Sequence, residues 1–404
     1  MDILAVIPHR IASQGYMRSQ VVAPLAYLSS SGLKVALLCI LDEADEKSKG
    51  FEAELLASGI KGYFVKPSGN AFLNYINCAA KAAGVVKKDG PSHIYAREVW
   101  GGLGCLFATR GTSGKTGFVY DFRGAVPEEI LFYGGGTKAR IKAFLFSRIE
   151  KVIAKKAWRL NAVTHSLSSH LLKKYGRAAD TVIPCCSFGG ADIHEKDSAA
   201  LRSALGFSRS DKVYVYSGSL NKWQMFDETV RLFSMISAVD DTARLLVLTP
   251  DIKMAESVLG GSIKTGAYAV RSVRQDEVTS YLAAGDFGFL LREDNIVNHV
   301  AFPIKFAEYI AAGLAIITTE GVSEIARIVR SEGSGYVIDL LASDAHPVVA
   351  WSNEVMRHRD EYRKKAFSYA KSTLLWPCHI GSFGVLYGVK HSALRKDRTE
   401  DAHA

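Results

Sequence analysis

The sequence predicts an α/β protein with two doubly wound parallel sheets, and three observations predict it. Short apolar runs of strand length alternate with helical patterns almost from end to end. The runs are too uniformly apolar for strands with one wet face, so helices must cover both faces of each sheet. The chain, at 404 residues, is also too long for one ordinary core and suits two.

The first series of runs lies at 3–7, 34–40, 62–65, 93–97, 117–120, 162–164 and 181–183. The second lies at 213–216, 244–248, 268–270, 287–291, 315–318 and 336–339. Helical periodicity falls between them, as at 20–30, 227–238, 275–284 and 305–312. A polar, glycine-containing stretch at 185–197 parts the two series, giving a first domain over 1–190 and a second over 191–372. Residues 373–404 form a closing segment and tail.

With 48% hydrophobic and 23% charged residues, the composition is that of a folded globular chain and excludes extended disorder. No apolar run approaches the roughly 18 residues of a spanning helix. The first residues carry Asp2 and no basic stretch, so they read as a strand rather than a signal peptide. The six cysteines form no CxxC pair, and reduced thiols in a cytoplasmic protein are expected.

The net charge of +9 is local: residues 1–190 hold 25 Lys and Arg against 14 Asp and Glu. Residues 138–177 alone hold 11 cations and one acid, Glu150. Such a concentration points to an anionic partner at one place. Thr137 can cap a helix running to about Trp158, in which Arg140, Arg148, Lys151, Lys155 and Arg159 share a sector. Its apolar remainder (Ile141, Leu145, Ile149, Val152, Ile153, Ala157) is expected to pack on the sheet while the cations face solvent or an anionic membrane surface. No nucleic-acid reading motif accompanies the charge.

In a doubly wound fold, ligands bind beyond the C-terminal ends of the strands. The most informative strand-to-helix turn runs from Leu290 to Gly313. Pro303 suits helix position N1 and Gly313 the position past its end. Lys305 lies in the first turn, where a cation is unfavourable by about 0.3–1 kcal/mol unless an anion sits there. That misfit argues for a phosphate site.

The segment Phe302-Pro-Ile-Lys-Phe-Ala-Glu-Tyr-Ile-Ala-Ala-Gly313 resembles the PxKxxEYLAxG signature of retaining glycosyltransferases of the GT-B fold, the group often called family 4. The resemblance implies two Rossmann-like domains with a cleft between them and a C-terminal segment returning to the first domain. It implies a nucleotide-diphospho-sugar donor, Glu308 on its ribose, and the stretch Phe302, Pro303 and Ile304 around the diphosphate, with the free helix amides there as donors. Many relatives carry a second Glu where this chain has Val300.

Val213-Tyr-Val-Tyr-Ser-Gly-Ser-Leu-Asn-Lys-Trp-Gln224 resembles the GxLxxxKG loop of the same enzymes. By that resemblance Gly218 admits the phosphate and Lys222 neutralises the leaving group. The usual Arg is Ser219 here, leaving Arg292 or Lys305 to supply the missing charge. Gly15 is the corresponding first-domain turn glycine, with Arg18 a weaker candidate. Asp121 and Arg123 end an apolar strand at the expected acceptor side, and Arg97 is a candidate partner for Asp121.

Other motifs fail. Gly111-Thr-Ser-Gly-Lys-Thr116 lacks the first glycine of a P-loop and stands between helix and strand in the wrong order. Gly101-Gly-Leu-Gly104 follows no suitable strand. There is no DxD pair and no His or Cys spacing for a metal, so no cofactor or metal is expected.

Taken with the resemblance, the expected function is metal-independent, retaining transfer of a sugar to a glycan or lipid-linked acceptor in cell-surface polysaccharide synthesis. The expected location is cytoplasmic, at the inner face of the membrane. A GT-B nucleotide-sugar epimerase or a non-catalytic scaffold of polysaccharide assembly are the alternatives.

Overall fold

The computed structural model describes the chain except for residues 12–16, 43, 46–47, 113, 188–194, 275–276, 342–343 and 390–404, and except for the side chains of 195–197. It divides into two compact units. Unit 1 is Met1–Pro184 together with the chain from Trp376 onward; unit 2 is Cys185–Leu375.

Each predicted apolar run forms a strand. Unit 1 holds β1 (Ile3–Ile7), β2 (Val35–Ile40), β3 (Ile60–Val65), β4 (His93–Ala96), β5 (Gly117–Phe122), β6 (Arg159–Ala162) and β7 (Thr181–Val182). They pair in parallel in the order β3-β2-β1-β4-β5-β6-β7. Unit 2 holds β8 (Lys212–Ser217), β9 (Ala243–Leu248), β10 (Tyr268–Arg271), β11 (Phe287–Leu290), β12 (Ala315–Thr318) and β13 (Gly335–Val337). Their order, again parallel throughout, is β10-β9-β8-β11-β12-β13. In both sheets the first strand lies beside the fourth, which leaves a switch point where the crossovers part to opposite faces.

β6 begins three residues before its predicted start because Arg159 and Asn161 disguise it. Asn161 is buried and bonded on both sides: its Nδ2 donates to Asp121 at 2.7 Å and its Oδ1 accepts from Thr181 at 2.8 Å. Arg159 therefore leaves the basic helix and pairs with Asp180 at 2.8 Å.

That helix spans Gly136–Lys156, with Gly135 rather than Thr137 at its cap and no side-chain cap bond. Its apolar face also departs from expectation. Ile153 and Ala157 are buried, but Ile141, Leu145 and Val152 are 56%, 54% and 49% exposed. The sheet-facing side is made instead by Ala143, Ile153, Ala154 and Glu150. Glu150, the one acid of the basic segment, accepts a bond from the Tyr175 hydroxyl at 2.6 Å, and burial pushes its carboxyl up to about 7.

At the N-terminal edge of the unit 2 sheet, buried Asp286 collects Arg202 at 2.7 Å, Arg359 at 2.7 Å and the Val213 amide at 2.9 Å. One carboxylate thus fastens β8 to two flanking helices. Replacing it leaves Arg202 buried without its counter-charge, a change that typically costs about 3–5 kcal/mol. Asp286→Ala is therefore expected to lower the unfolding free energy from urea titration by that margin; an unchanged free energy would show that the pair holds nothing.

Candidate functional site

The candidate site lies at the switch point of unit 2, where the turns after β8 and β11 stand side by side. β8 ends at Ser217, and Gly218 follows with φ +136°, a conformation that only glycine adopts readily. A Cβ there would stand 3.2 Å from both Cε and Nζ of Lys305. The backbone of the first glycine-containing turn thus lies directly over the lysine of the second motif.

Lys305 belongs to the helix Ile304–Ala311, for which Pro303 is the N-cap, one residue earlier than predicted. Gly313 terminates the helix as expected, with φ +79°. The Lys305 side chain is buried, and its ammonium has no hydrogen-bond partner among the described residues. It sits 4.5 Å from the centre of the Tyr216 ring. Burial first, and the Arg292 guanidinium second, hold it well below the usual lysine range, with Glu308 opposing them.

Arg292 stands at the end of β11, 6% exposed. Its guanidinium donates to the Leu291 carbonyl and to Gln224 Oε1, both at 2.7 Å. Its own backbone is clasped by Thr319, whose Oγ1 accepts from the Arg292 amide at 3.0 Å and donates to its carbonyl at 2.6 Å. Gln224 closes the short turn Lys222–Gln224, so this bond carries the Lys222 loop to the same place. Lys222 itself is exposed at the first position of that turn. Ser219 contributes no charge; its carbonyl accepts from the Tyr216 hydroxyl at 2.7 Å, and its Oγ accepts from Asn221 at 2.9 Å.

Tyr309 locks the helix to the sheet, a role the sequence reading missed. Its hydroxyl accepts the Ser217 amide at 2.8 Å, and its ring lies across Gly288, where a Cβ would come within 2.4 Å of it. A glycine inside the apolar strand Phe287-Gly-Phe-Leu290 was the available signal. Phe302 is buried, while Pro303, Ile304 and Glu308 are partly exposed one turn either side of Lys305. The assembly offers two buried cations, a glycine turn and a helix N-terminus to whatever enters: a seat for a doubly charged anion.

In unit 1, Asp121 is drawn into the core instead of facing an open strand end. It is 4% exposed and accepts from Tyr95 at 2.6 Å and Asn161 at 2.7 Å. Its ionic partner is Arg123 at 3.5 Å, not Arg97. Arg97 donates to the Gln20 carbonyl and Arg123 to the Gln20 side chain, each at 3.1 Å. The returning segment covers this network: Trp376, Phe383 and Tyr387 line a cavity of about 30 Å³ beside Asp121, and Trp376 Nε1 donates to the Ser19 carbonyl at 3.1 Å. At this unit's own switch point the His9 and Glu98 side chains are in contact. Gly15 lies outside the described residues. Among the described residues no group of three or more His, Cys, Asp or Glu side chains is placed to hold a metal ion.

No family model and no curated protein matches the sequence. Solved structures do match. A glycosyltransferase from Rickettsia africae ESF-5 is similar over 98% of this chain and 99% of that one, with a TM-score of 0.71 at 13% identity. Anabaena Alr3699/HepE in complex with UDP-glucose is similar over 96% of this chain and 98% of that one, with a TM-score of 0.66 at 13% identity. WaaG, a glycosyltransferase involved in lipopolysaccharide biosynthesis, is similar over 96% of this chain and the whole of that one, 100%, with a TM-score of 0.66 at 15% identity. The chain has the GT-B fold.

Tyr309→Phe strands the part-buried Ser217 amide, which costs about 0.5–1.5 kcal/mol for a lost hydrogen bond. Denaturant titration is expected to show a loss in that range; wild-type stability would mean that the hydroxyl does not hold the β8 turn.

Proposed function

We propose that the chain is a retaining glycosyltransferase that moves a sugar from a nucleotide-diphospho-sugar to a glycan or lipid-linked acceptor in cell-surface polysaccharide synthesis. The observation that carries this reading is the Lys305 ammonium, buried without a hydrogen-bond partner among the described residues, beneath the Gly218 backbone and within electrostatic range of Arg292. An unpaired buried charge is costly, and folds keep one where a ligand of opposite sign completes it. The complex of a structural neighbour with UDP-glucose supports a donor of this class.

In this reading the diphosphate lies over Gly218 at the N-terminus of the Ile304–Ala311 helix. Lys305 and Arg292 neutralise it, Arg292 standing in for the cation missing at Ser219, and Lys222 approaches from the exposed turn. Glu308 takes the ribose hydroxyls. When the glycosidic bond to the diphosphate breaks, negative charge gathers on the departing oxygen, and these fixed cations and amides stabilise it without reorganising. The departing phosphate accepts the acceptor's hydroxyl proton, which keeps attack on the face the leaving group vacates. Charge neutralisation by Lys, Arg and amides leaves no step that requires a metal.

Loss of one such contact costs about 3–4 kcal/mol of barrier, so Lys305→Met and Glu308→Ala are each expected to slow transfer by roughly a few hundredfold. Lys305→Met carries a second, opposite signature. A lysine held below its usual range binds its proton less tightly in the folded chain than in the unfolded one, so it opposes folding at any pH below the ordinary lysine value, and most strongly below its folded one. Removing it should raise stability in the absence of ligand while transfer slows. A destabilised variant, or one with normal turnover, would refute the assignment.

Bound diphosphate favours the ammonium, so any proton taken up on binding goes to Lys305, and binding weakens as pH rises toward the ordinary lysine value. Calorimetry in buffers of different ionisation heat reads this uptake, which Lys305→Met should remove. A thermal-shift screen of UDP, GDP and dTDP identifies the base: binding at 100 times the dissociation constant adds about 2.7 kcal/mol. No shift with any of the three would argue for a scaffold.

A further inference from the structure

The Gly136–Lys156 helix has 21 residues, about 31 Å at 1.5 Å per residue. The six residues of β5 span only about 20 Å. The C-terminal end of the helix must deliver the chain to β6 at Arg159, so about 11 Å of it, roughly its first two turns, extends past the C-terminal ends of the strands, the ligand-binding edge of the sheet. The helix Val126–Tyr133 leads into this overhang through Gly134 and Gly135.

The resulting tip, residues 131–145, is exposed at nearly every position. Phe132, Tyr133, Ile141, Phe144 and Leu145 are between 43% and 59% exposed. Large side chains are not normally left together in water in this way. Every exposed charge on the helix is positive, since its one acid, Glu150, is buried. The Arg148 guanidinium lies 5.0 Å from the centre of the Phe144 ring and the Lys142 ammonium 5.5 Å from that of Phe146, so cations and aromatic rings share one surface. The helix starts without a side-chain cap or an acid in its first turn, and cations occupy it instead. That end suits an anion, for which the helix supplies none of its own.

Among the described residues no helix is long and apolar enough to cross a membrane. Apolar side chains ringed by cations at an uncapped helix start match an interface where acyl chains lie beneath anionic headgroups. We infer that unit 1 docks on an anionic phospholipid surface through the 131–145 tip, with its apolar side chains inserted and Lys138, Arg140, Lys142 and Arg148 among the phosphates. The surface so engaged borders the acceptor edge of the sheet.

The test is sedimentation of the full chain with phosphatidylcholine vesicles, with and without phosphatidylglycerol. Binding is expected only with the anionic lipid and should weaken with salt. Each cation of the tip removed (Lys138→Ala, Arg140→Ala, Lys142→Ala) should lower partitioning about fivefold. Phe132→Ser with Phe144→Ser should abolish binding while every cation remains. Unchanged urea midpoints and thermal shifts with nucleoside diphosphate would show that these variants fold and that the donor site is untouched. Equal binding to neutral vesicles, or none to anionic ones, overturns the inference. So does a concentration-dependent dimer in sedimentation velocity that the Ser variants dissolve, which would assign the face to a second copy of the chain. Neither result bears on Lys305, so the donor reading stands or falls separately.

Discussion

A lysine ammonium buried without a hydrogen-bond partner among the described residues is the constraint around which unit 2 is arranged. Left alone it would be expelled to solvent or exchanged for an apolar side chain, because burial and the Arg292 charge outweigh what Glu308 returns. The fold keeps it in place on several sides at once. Gly218 leaves the space above it open, the Tyr216 ring faces its charge, and Arg292 adds a second positive group instead of relieving the first. Burying the lysine beside a second cation is locally unfavourable, and the proposed diphosphate is what would offset it.

Topology explains why these groups meet. In both sheets the first and fourth strands are neighbours, and the turns beyond them open onto the gap where the crossovers diverge. In unit 2 these turns carry Gly218 and Arg292. At the opposite edge Asp286 ties the starts of β8 and β11 together, so the two turns are positioned from both ends of their strands. Tyr309 completes the frame by bonding to one strand's end and lying against the other's glycine. The site is thus set by a rigid lattice of strands rather than by loops alone.

Much of this was legible in the sequence. Uniform apolar runs revealed the described strands, β6 only by its last residue, and the Pro303-to-Gly313 punctuation set the helix within one residue. The pairings were harder, because they depend on which strands become neighbours. Nothing in the order of residues joins Gly218 to Lys305 or Gln224 to Arg292 until β8 lies beside β11. Asp121 was misplaced for the same reason: at the end of an apolar run it looked open, whereas the returning segment seals it with Tyr95 and Asn161. The basic helix misled through its length. Periodicity distinguishes an apolar stripe from a charged one, but it does not tell which turns of the stripe extend past the sheet.

The route of the chain has a consequence for its biosynthesis. The network around Asp121 is closed by Trp376, Phe383 and Tyr387, side chains that leave the ribosome only after all of unit 2 has been made. The half of the molecule that begins first is therefore finished last. Until then Gln20, Arg123 and their neighbours wait in a partly solvated shell while the other half, continuous in sequence, is free to complete itself.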